Sequence, residues 1–203
     1  MIKNIVFDVG GVLMEFDTHA LTTHCAGNEA DGLLLHREIF DHYDWVSIDR
    51  ATPEAYALAQ MQSRLPERLR EPAAQVLAQW DKWLVPEEKI NALVEELAGM
   101  GYSLYILSNT SAHFYEFKER IPTWPLFKGA ILSFEERLLK SDPEIYRRLF
   151  SRFGLVPGEC FFVDDSHMNV EAANWSGMVG SLYRGDISEV RADLRRAGVP
   201  VAP

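Results

Sequence analysis

The sequence predicts an α/β fold in which a doubly wound, mostly parallel sheet carries a small helical bundle inserted after its first strand. Two observations lead to this class. Strand-like apolar runs alternate with helical patterns through the second half of the chain, as expected for parallel strands joined by right-handed crossovers. Between residues 17 and 86, by contrast, apolar residues recur at helical spacing and no strand-like run is found.

Short apolar runs are predicted to form the sheet. Each has the length of a strand and is mostly apolar, with the weakest pattern in the third. In chain order they are Ile2 to Phe7, Tyr102 to Leu107, Ala130 to Phe134, Cys160 to Val163 and Val179 to Tyr183. A sheet of this kind, covered by helices on both faces, is Rossmann-like.

The predicted helices around these strands have recognisable ends. Pro143 stands at the first turn of a helix from Asp142 to Phe153, and Gly177 closes a helix from His167 to Ser176. The remaining predicted helices of this part of the chain are Glu87 to Met100, Ser111 to Arg120 and Arg184 to Arg196.

The helical insertion divides the chain into two predicted parts. Residues 1–16 and 87–203 are expected to form a Rossmann-like core, and residues 17–86 an α-helical cap. Within the cap, Thr52 to Ala55 is typical of a helix N-terminus, with a capping threonine and a proline at the first helical position.

Composition and charge exclude several classes of protein. The 203 residues, 47% hydrophobic and 25% charged, suit one globular domain with an elaboration. A formal net charge of -10 argues against nucleic acid or an anionic membrane as a partner. The two cysteines lie far apart, and Cys160 is predicted to be a buried thiol rather than half of a disulfide. With no signal-like or spanning segment at the N-terminus, we expect a cytoplasmic protein.

Polar side chains follow three of the predicted strands at the point where each strand ends. Asp8 follows the first strand, Ser108-Asn109 the second and Asp164-Asp165 the fourth, while Lys140 lies in a loop just before a helix. In an open parallel sheet, ligands bind beyond the carboxyl ends of the strands, near the point where the winding reverses. We therefore expect these side chains to converge on one edge of the sheet.

This set of groups suits a small hard cation and a phosphate. Mg²⁺ takes oxygen ligands, commonly one or two carboxylates together with substrate phosphate. Successive side chains of a strand point to opposite faces, so we assign Asp165 to bind the ion directly with Asp8, and Asp164 to bind it through water. Lys140 would neutralise the phosphoryl oxygens and keep Asp8 ionised. Ser108-Asn109 would donate hydrogen bonds to the same oxygens.

Four segments, in order, resemble the motifs of haloacid dehalogenase-like hydrolases. The segments are Ile5-Val6-Phe7-Asp8-Val9-Gly10-Gly11-Val12-Leu13, Ile106-Leu107-Ser108-Asn109, Lys140-Ser141-Asp142-Pro143-Glu144-Ile145-Tyr146, and Phe162-Val163-Asp164-Asp165 through Asn169-Val170. The resemblance covers nearly the whole chain. The helical insertion is similar to the α-helical cap of the subfamily that includes many sugar-phosphate phosphatases. Ser141 departs from the pattern, because proline often follows the motif lysine.

The resemblance implies a mechanism and one missing group. Asp8 would attack phosphorus and form an aspartyl-phosphate, which water then hydrolyses, and Gly10 would lend its backbone carbonyl to Mg²⁺. Phosphatases of the family usually carry a second Asp at this position, which protonates the leaving oxygen and later activates water. This chain has glycine there. General acid catalysis contributes about 10² to 10⁴ in rate, so the absence has consequences.

Two explanations of the missing acid remain open. Another group could replace it, with Glu15, Asp17 and His19 as candidates just past the turn, although acids at such places commonly cap a helix. Alternatively, the leaving group needs little help, as with an anomeric sugar hydroxyl or an acyl group.

Other polar and aromatic residues admit ordinary roles. Trp45, Asp49 and Arg50 could line a substrate pocket beneath the cap, but core packing for Trp45 and a surface ion pair for Arg50 are the more common outcomes. The six histidines show no spacing typical of a zinc site, and no metal is assigned to them.

The sequence thus predicts a Mg²⁺-dependent phosphatase that hydrolyses a small phosphorylated metabolite, with a sugar phosphate as the expected class. Asp8 and Lys140 are its predicted catalytic residues, and its oligomeric state is left open. One alternative is a metal-independent 2-haloacid dehalogenase in which Asp8 attacks carbon. The acidic pair Asp164-Asp165 argues against it, because that chemistry needs no cation. The other is a non-catalytic phosphate-binding or regulatory protein whose activity has lapsed with the acid at position 10.

Overall fold

The computed structural model describes every residue from Met1 to Pro203. Its strands are β1 (Asn4–Phe7), β2 (Met14–Phe16), β3 (Leu84–Pro86), β4 (Ser103–Ser108), β5 (Phe127–Leu132), β6 (Cys160–Asp164) and β7 (Val179–Leu182). Its α-helices are α1 (Thr18–Ala26), α2 (Glu29–Ile39), α3 (Tyr43–Ile48), α4 (Glu54–Arg64), α5 (Arg70–Gln79), α6 (Glu88–Gly99), α7 (Phe114–Phe117), α8 (Ser133–Glu136), α9 (Pro143–Phe153), α10 (His167–Trp175) and α11 (Ile187–Arg196). Short 3₁₀ turns occupy Glu67–Leu69, Trp80–Trp83, Lys118–Arg120, Trp124–Leu126 and Pro157–Glu159.

A five-stranded sheet in the order β5-β4-β1-β6-β7 forms the centre of the molecule. Every neighbouring pair in it is parallel. The chain winds outward from β1 to β4 and β5 on one side, and then to β6 and β7 on the other. The winding therefore reverses at β1, and the doubly wound α/β class predicted from the sequence is confirmed.

Alternate residues of the central strand pack into two different helix layers. Ile5 and Phe7 belong to a cluster that includes apolar residues of α6 and α11, whereas Val6 belongs to a second cluster with residues of α9 and α10. This division follows from the two-residue period of a strand. Because both faces are covered, β1 is buried along its whole length, which explains the apolar run from Ile5 to Phe7.

Three elements have boundaries that differ from the predicted ones. The edge strand β5 begins before Ala130 and ends at Leu132. Its start was not predicted because the first residues of the strand are not fully buried and form only a weak apolar pattern. The predicted helix Ser111 to Arg120 is reduced to α7 and a 3₁₀ turn. Farther toward the N-terminus, Pro53 occupies the N-cap position of α4, and the helix begins one residue later than predicted, without a side-chain cap.

A two-stranded ribbon is the feature of the fold that the sequence analysis missed. β2 and β3 pair antiparallel, with Phe16 opposite Leu84 and Met14 opposite Pro86. The prediction that residues 17–86 contain no strand is therefore wrong at residues 84–86. Each strand of the ribbon has only three residues, too few for a periodic pattern to be recognised.

The helices α1 to α5 lie between the two strands of this ribbon along the chain. Their apolar side chains, including Leu35 and Met61, join the same buried cluster as Ile5 and Phe7 of β1. The helical region is thus packed onto the sheet rather than tethered beside it.

The cysteines form no disulfide, and no helix is suited to span a membrane. Cys25 and Cys160 are both free, and Cys160 is buried, as predicted. Its thiol donates a hydrogen bond to the Val156 carbonyl at 3.3 Å. No helix combines the length and the apolar character needed to cross a lipid bilayer.

Candidate active site

The predicted polar residues meet at the carboxyl edge of the sheet. Asp8 directly follows β1, Ser108 ends β4, and Asp164 ends β6. The register pairs Phe7 with Ile106 on one side and with Val163 on the other, so that the three strands end side by side. The Asp8 amide donates a hydrogen bond to the Val163 carbonyl at 3.0 Å, which continues the pairing past the end of β1.

A buried lysine joins two of the carboxylates. Lys140 Nζ lies 2.5 Å from Asp8 Oδ2 and 2.7 Å from Asp164 Oδ2. The three residues are 1%, 5% and 0% exposed, respectively. Burial opposes the charge of Lys140, but the attraction of Asp164 and Asp8 outweighs it and raises the pKa of the ammonium. Lys140 is therefore positively charged throughout the physiological pH range.

Main-chain contacts hold this lysine in position. The Lys140 amide donates a hydrogen bond to Asn109 Oδ1 at 2.9 Å. The hydroxyl of buried Tyr146 lies 2.9 Å from the carbonyl oxygens of both Lys140 and Asn169. The loop before α9 is thereby tied to β4 and to α10, and the ammonium reaches the sheet edge from a fixed backbone.

The three carboxylates lie close together but differ in their surroundings. Asp8, Asp164 and Asp165 each offer an oxygen, and these oxygens lie within 4.8 Å of one another. Asp164 Oδ1 accepts hydrogen bonds from the Ser166 amide at 2.8 Å and from Asn169 Nδ2 at 2.9 Å. With Lys140 at its other oxygen, Asp164 is already fully bonded, whereas Asp165 is solvent-accessible.

The cluster carries more negative charge than Lys140 balances. Burial raises the pKa of Asp8 to about 8, Lys140 opposes the rise, and Asp164 and Asp165 add to it. Burial and then Asp164 also raise the pKa of Asp165. A divalent cation bound among these oxygens would relieve the repulsion. Oxygen donors and excess negative charge are what Mg²⁺ requires, so the residues present fit this ion.

Two consecutive glycines after Asp8 shape the mouth of the site in different ways. Gly11 has φ of +73°, and a β-carbon there would lie 2.2 Å from Asp165 Oδ2. Only glycine combines that backbone conformation with so close an approach. Gly10 has no such constraint, because a β-carbon there would meet nothing within 4 Å. The side of the site where the family's second acid would stand is open space.

A cavity of about 260 Å³ opens over this space. Its floor includes Gly10, Ser108, Asn109 and Thr110. The rest of its wall is mainly apolar and comes from Phe16, Phe40, Trp45, Trp80, Leu84 and Phe117. The aromatic rings support one another: the centroids of Phe40 and Trp45 are 4.6 Å apart, and those of Trp45 and Trp80 are 5.4 Å apart.

Ser108 and Asn109, the predicted substrate-binding residues on the cavity floor, are free to donate hydrogen bonds. Asn109 uses its side-chain oxygen to accept from Lys140, which leaves its amide nitrogen available. The Ser108 hydroxyl has only a long 3.4 Å contact with the Asn109 carbonyl. Thr110, which the sequence analysis did not assign to the site, has a buried Oγ1 atom without any hydrogen-bond partner. A buried unpaired hydroxyl at a cavity wall indicates an atom available to a ligand.

Trp45, Asp49 and Arg50, the predicted pocket residues of the helical region, separate into two groups. Trp45 and Asp49 line the cavity, and Trp45 also packs against other rings, so that it has both of the roles considered for it. Arg50 is exposed and makes no ion pair, contrary to the role expected for it.

None of the suggested replacements for the missing acid lines the cavity. Glu15 is exposed on the ribbon. Asp17 caps α1 by accepting a hydrogen bond from the Ala20 amide at 2.8 Å. His19 is exposed, and its ring stacks on His36 with centroids 3.7 Å apart. The structure therefore does not support a role for these residues in the site, because the residues of this segment that face the cavity are Phe16 and Thr18.

One histidine has acidic neighbours that its spacing in the sequence does not reveal. His113 Nε2 lies 3.0 Å from Glu54 Oε1 of α4, and its Nδ1 atom lies 3.8 Å from Asp81 and from Glu116. The contact with Glu54 joins the loop after β4 to the helical region.

The sheet, the four ordered segments and the acidic edge define a hydrolase class. The chain belongs to the haloacid dehalogenase-like hydrolases, since the sequence profile of that family matches residues 2–177. A curated relative, the sesquiterpene phosphatase of Aspergillus oryzae, is 29% identical over 195 residues, which cover 96% of this chain and 95% of the relative.

Solved structures share the fold over almost the full length. A haloacid dehalogenase family enzyme from Bacteroides thetaiotaomicron, in complex with magnesium and inorganic phosphate, has a TM-score of 0.64 at 23% identity and covers 94% of this chain and 99% of its own. The L-2-haloacid dehalogenase of Xanthobacter autotrophicus has a TM-score of 0.66 at 20% identity and covers 100% of this chain and 85% of its own. These likenesses establish the common fold.

Proposed function

We propose that this hydrolase is a Mg²⁺-dependent phosphatase that cleaves a small phosphorylated metabolite through an aspartyl-phosphate on Asp8. The observation that carries the proposal is the buried cluster in which Lys140 pairs with Asp8 and Asp164 while Asp165 stays accessible. A metal-independent reaction needs no cation, whereas three carboxylates around one lysine leave an excess of negative charge that a cation would balance. The magnesium and phosphate bound by the Bacteroides enzyme add support.

In this proposal, Asp8 is the nucleophile and its neighbours orient it. The Val9 amide donates a hydrogen bond to Asp8 Oδ1 at 2.6 Å, and Lys140 contacts Oδ2. These two contacts fix the plane of the carboxylate toward the cavity floor. Ser108 and Asn109 donate hydrogen bonds to the phosphoryl oxygens, and Lys140 balances the charge that develops on them.

Asp8, Asp165 and the backbone carbonyl of Gly10 would hold the metal, and Asp164 would act through water. Mg²⁺ bound there would supply positive charge to the phosphoryl group and keep the carboxylates ionised. The full bonding of Asp164 by Lys140, Ser166 and Asn169 supports the indirect role.

The cavity favours a phosphomonoester with an apolar organic group. A buried sugar hydroxyl loses free energy unless it finds a hydrogen-bond partner, and the cap side of this wall offers mainly aromatic rings. The name of the Aspergillus relative, a sesquiterpene phosphatase, agrees with an apolar substrate. Sugar phosphates, the class expected from the sequence, are the competing candidate.

We also propose that residues 17–86 act as the substrate-selecting cap on a core of residues 1–16 and 87–203, in the cytoplasm. The cap side of the cavity, formed by residues such as Phe40, Trp45 and Trp80, supports this division.

A phosphatase panel tests the function. The purified chain is assayed with Mg²⁺ on alkyl, prenyl and sugar phosphates, beside the Asp8→Asn variant and an EDTA-treated sample. We expect turnover by the native chain alone, and faster turnover of the apolar esters. Full activity of Asp8→Asn or of the EDTA-treated chain would contradict the mechanism.

The same preparation tests the alternatives. Halide release from 2-haloacids in EDTA would favour the dehalogenase, a hypothesis kept open by the fold shared with the Xanthobacter enzyme. Tight binding of Mg²⁺ with phosphate, without turnover of any ester, would favour the non-catalytic binding protein.

A further inference from the structure

The open space beside Gly10 leaves the leaving group of the substrate without an acid from the core. A β-carbon at Gly10 would meet nothing within 4 Å, and the cavity begins at this residue. Any proton for the departing oxygen has to come from a group on the same cavity wall or from water.

Only one ionisable side chain lies on that wall. The cavity is lined by apolar residues, by Gly10, by neutral hydroxyl and amide groups, and by Asp49. Asp49 directly follows α3, on the cap side, and is half-buried. No hydrogen bond or ion pair to another side chain engages its carboxyl group. A carboxyl group enclosed by aromatic rings without a partner destabilises a fold, so a function is the better explanation of its place.

The backbone around Asp49 is fixed by a tight turn. The amides of Arg50 and Thr52 both donate hydrogen bonds to the Ser47 carbonyl at 3.0 Å. Between them, Ala51 adopts φ of +68°, which is uncommon for a residue with a β-carbon. The turn holds residue 49 on the cavity side while Arg50 is left in solvent.

We propose that Asp49 of the cap takes the place of the missing acid at position 10 and protonates the leaving oxygen of the substrate. This role rests on the proposed phosphatase function. It is a different answer from that offered by Glu15, Asp17 and His19, because Asp49 lines the cavity and none of those three residues does.

The protonation state of Asp49 suits this role. Burial raises its pKa to about 7, and the charge of Lys140 opposes the rise. The other charged groups near the cavity floor are Asp8, Asp164 and Asp165, and Arg50 beside it is exposed. Near neutral pH both forms of Asp49 are populated, as a group that gives and takes a proton in one cycle requires.

The proton balance closes over two steps. In the first, Asp8 attacks phosphorus, the bond from phosphorus to the ester oxygen breaks, and the Asp49 proton moves to that oxygen, which leaves as an alcohol. In the second, water attacks phosphorus, the bond to the Asp8 oxygen breaks, and the proton of the water moves to the Asp49 carboxylate. Inorganic phosphate departs, and both residues return to their starting states.

The test compares leaving groups in the full-length protein with Mg²⁺. In Asp49→Asn, kcat/KM for an alkyl phosphate should fall by about 10²-fold or more, because an alkoxide is a poor leaving group. For p-nitrophenyl phosphate, whose phenolate leaves without a proton, kcat/KM should change little. Hydrolysis of the aspartyl-phosphate should become slow in this variant, because Asp49 no longer accepts a proton from the attacking water. With p-nitrophenyl phosphate, the slow hydrolysis should appear as an initial burst of p-nitrophenol. Asp41→Asn, the same change at an exposed cap residue, is the matched control.

Two more variants separate a chemical role from a structural one. Asp49→Glu keeps the acid and should keep most of the preference for alkyl phosphate. Adding Gly10→Asp to Asp49→Asn restores an acid in space that is open, and should recover alkyl phosphate turnover. In the wild type, kcat/KM for the alkyl phosphate should fall as pH rises through about 7, and Asp49→Asn should lose this dependence.

The outcomes distinguish the two proposals. Equal losses on both esters in Asp49→Asn, or no loss on either, would overturn the role of Asp49 while leaving an Asp8-dependent phosphatase in place. A wild-type protein that hydrolyses no phosphomonoester would overturn the proposed function and this role together.

Discussion

The Oδ2 atom of Asp165 lies 2.2 Å from the point where a β-carbon of residue 11 would stand. Gly11 and Asp165 come from opposite ends of the chain, yet the position of one carboxylate depends on the absence of one methyl group. We predict that Gly11→Ala displaces Asp165 and weakens Mg²⁺ binding at least tenfold, since one ligand of the ion is lost. Calorimetric titration with Mg²⁺ measures the change.

Gly154 provides the control for backbone strain. It also has a positive φ, +66°, but a β-carbon there meets nothing within 4 Å. Gly154→Ala should lower the free energy of unfolding by about 1 kcal/mol, as expected for a strained residue, and leave Mg²⁺ binding intact. Equal Mg²⁺ affinity in the two variants would refute the steric argument.

A second prediction concerns Lys140. Its removal in Lys140→Met leaves Asp8 and Asp164 buried without a counter-charge, and breaking such a pair costs about 3–5 kcal/mol. Urea denaturation at neutral pH should register this loss of unfolding free energy. Lys128→Met, at an exposed lysine, should change stability little. Comparable losses in the two proteins would mean that the cluster does not depend on its lysine.

A third prediction is a pH-dependent gain in stability on removing Asp49. The folded protein raises the pKa of Asp49 from 3.8 to about 7, so the folded state binds this proton more tightly than the unfolded state does. The stability contributed by the protonated form is complete below pH 3.8 and is lost as pH rises through about 7. Asp49→Asn has no such loss. Above neutral pH it should be more stable than the wild type by about 1 kcal/mol, a figure reduced for partial solvent screening.

Thermal unfolding in EDTA across the pH range measures this difference. The two melting curves should converge in acid and separate above neutral pH. A constant offset at every pH would show that the carboxyl group does not titrate differently in the folded state.

A fourth prediction concerns the unpaired hydroxyl of Thr110. Thr110→Val removes a buried oxygen that bonds to nothing in the protein, so the unfolding free energy should stay the same or rise. If that oxygen contacts substrate, KM should rise by about 2- to 12-fold, the equivalent of one hydrogen bond. Steady-state kinetics and urea denaturation together give both numbers.

Thr123 is the matched case in which the hydroxyl is used. Its Oγ1 donates a hydrogen bond to buried Asn91 Oδ1 at 2.7 Å. Thr123→Val should therefore destabilise the fold by about 1–3 kcal/mol without a change in KM, the reverse of the result for Thr110. A similar loss of stability at both positions would argue against a free hydroxyl in the cavity.

The sequence was sufficient to predict the sheet and the polar residues at its edge because both follow from local rules. The run from Ile5 to Phe7 is apolar because β1 is covered on two faces. A parallel sheet then brings Asp8, Ser108 and Asp164 to one edge, whatever the conformation of the loops. The contact of Lys140 with Asp8 was predicted for the same reason, since its loop lies at that edge.

The cavity could not be predicted in the same way. Whether Asp49 or Arg50 faces the site depends on how α3 rotates against the rest of the helical region, and neighbouring residues in the sequence then have opposite surroundings. The ribbon was missed because three-residue strands carry no period. Gly11 was recognised only as part of the first motif segment, because its proximity to Asp165 depends on a distant part of the chain.

The pairing of Phe16 with Leu84 has an evolutionary consequence. Both crossings between sheet and helical region run through one small ribbon, so the chain leaves and returns at neighbouring points. Everything between those points could be lengthened, shortened or exchanged as a cassette without altering the register of any sheet strand. If the proton donor is Asp49, such an exchange would carry part of the chemistry with the specificity, and related enzymes could acquire or lose their acid by replacing a module rather than by mutating the sheet edge.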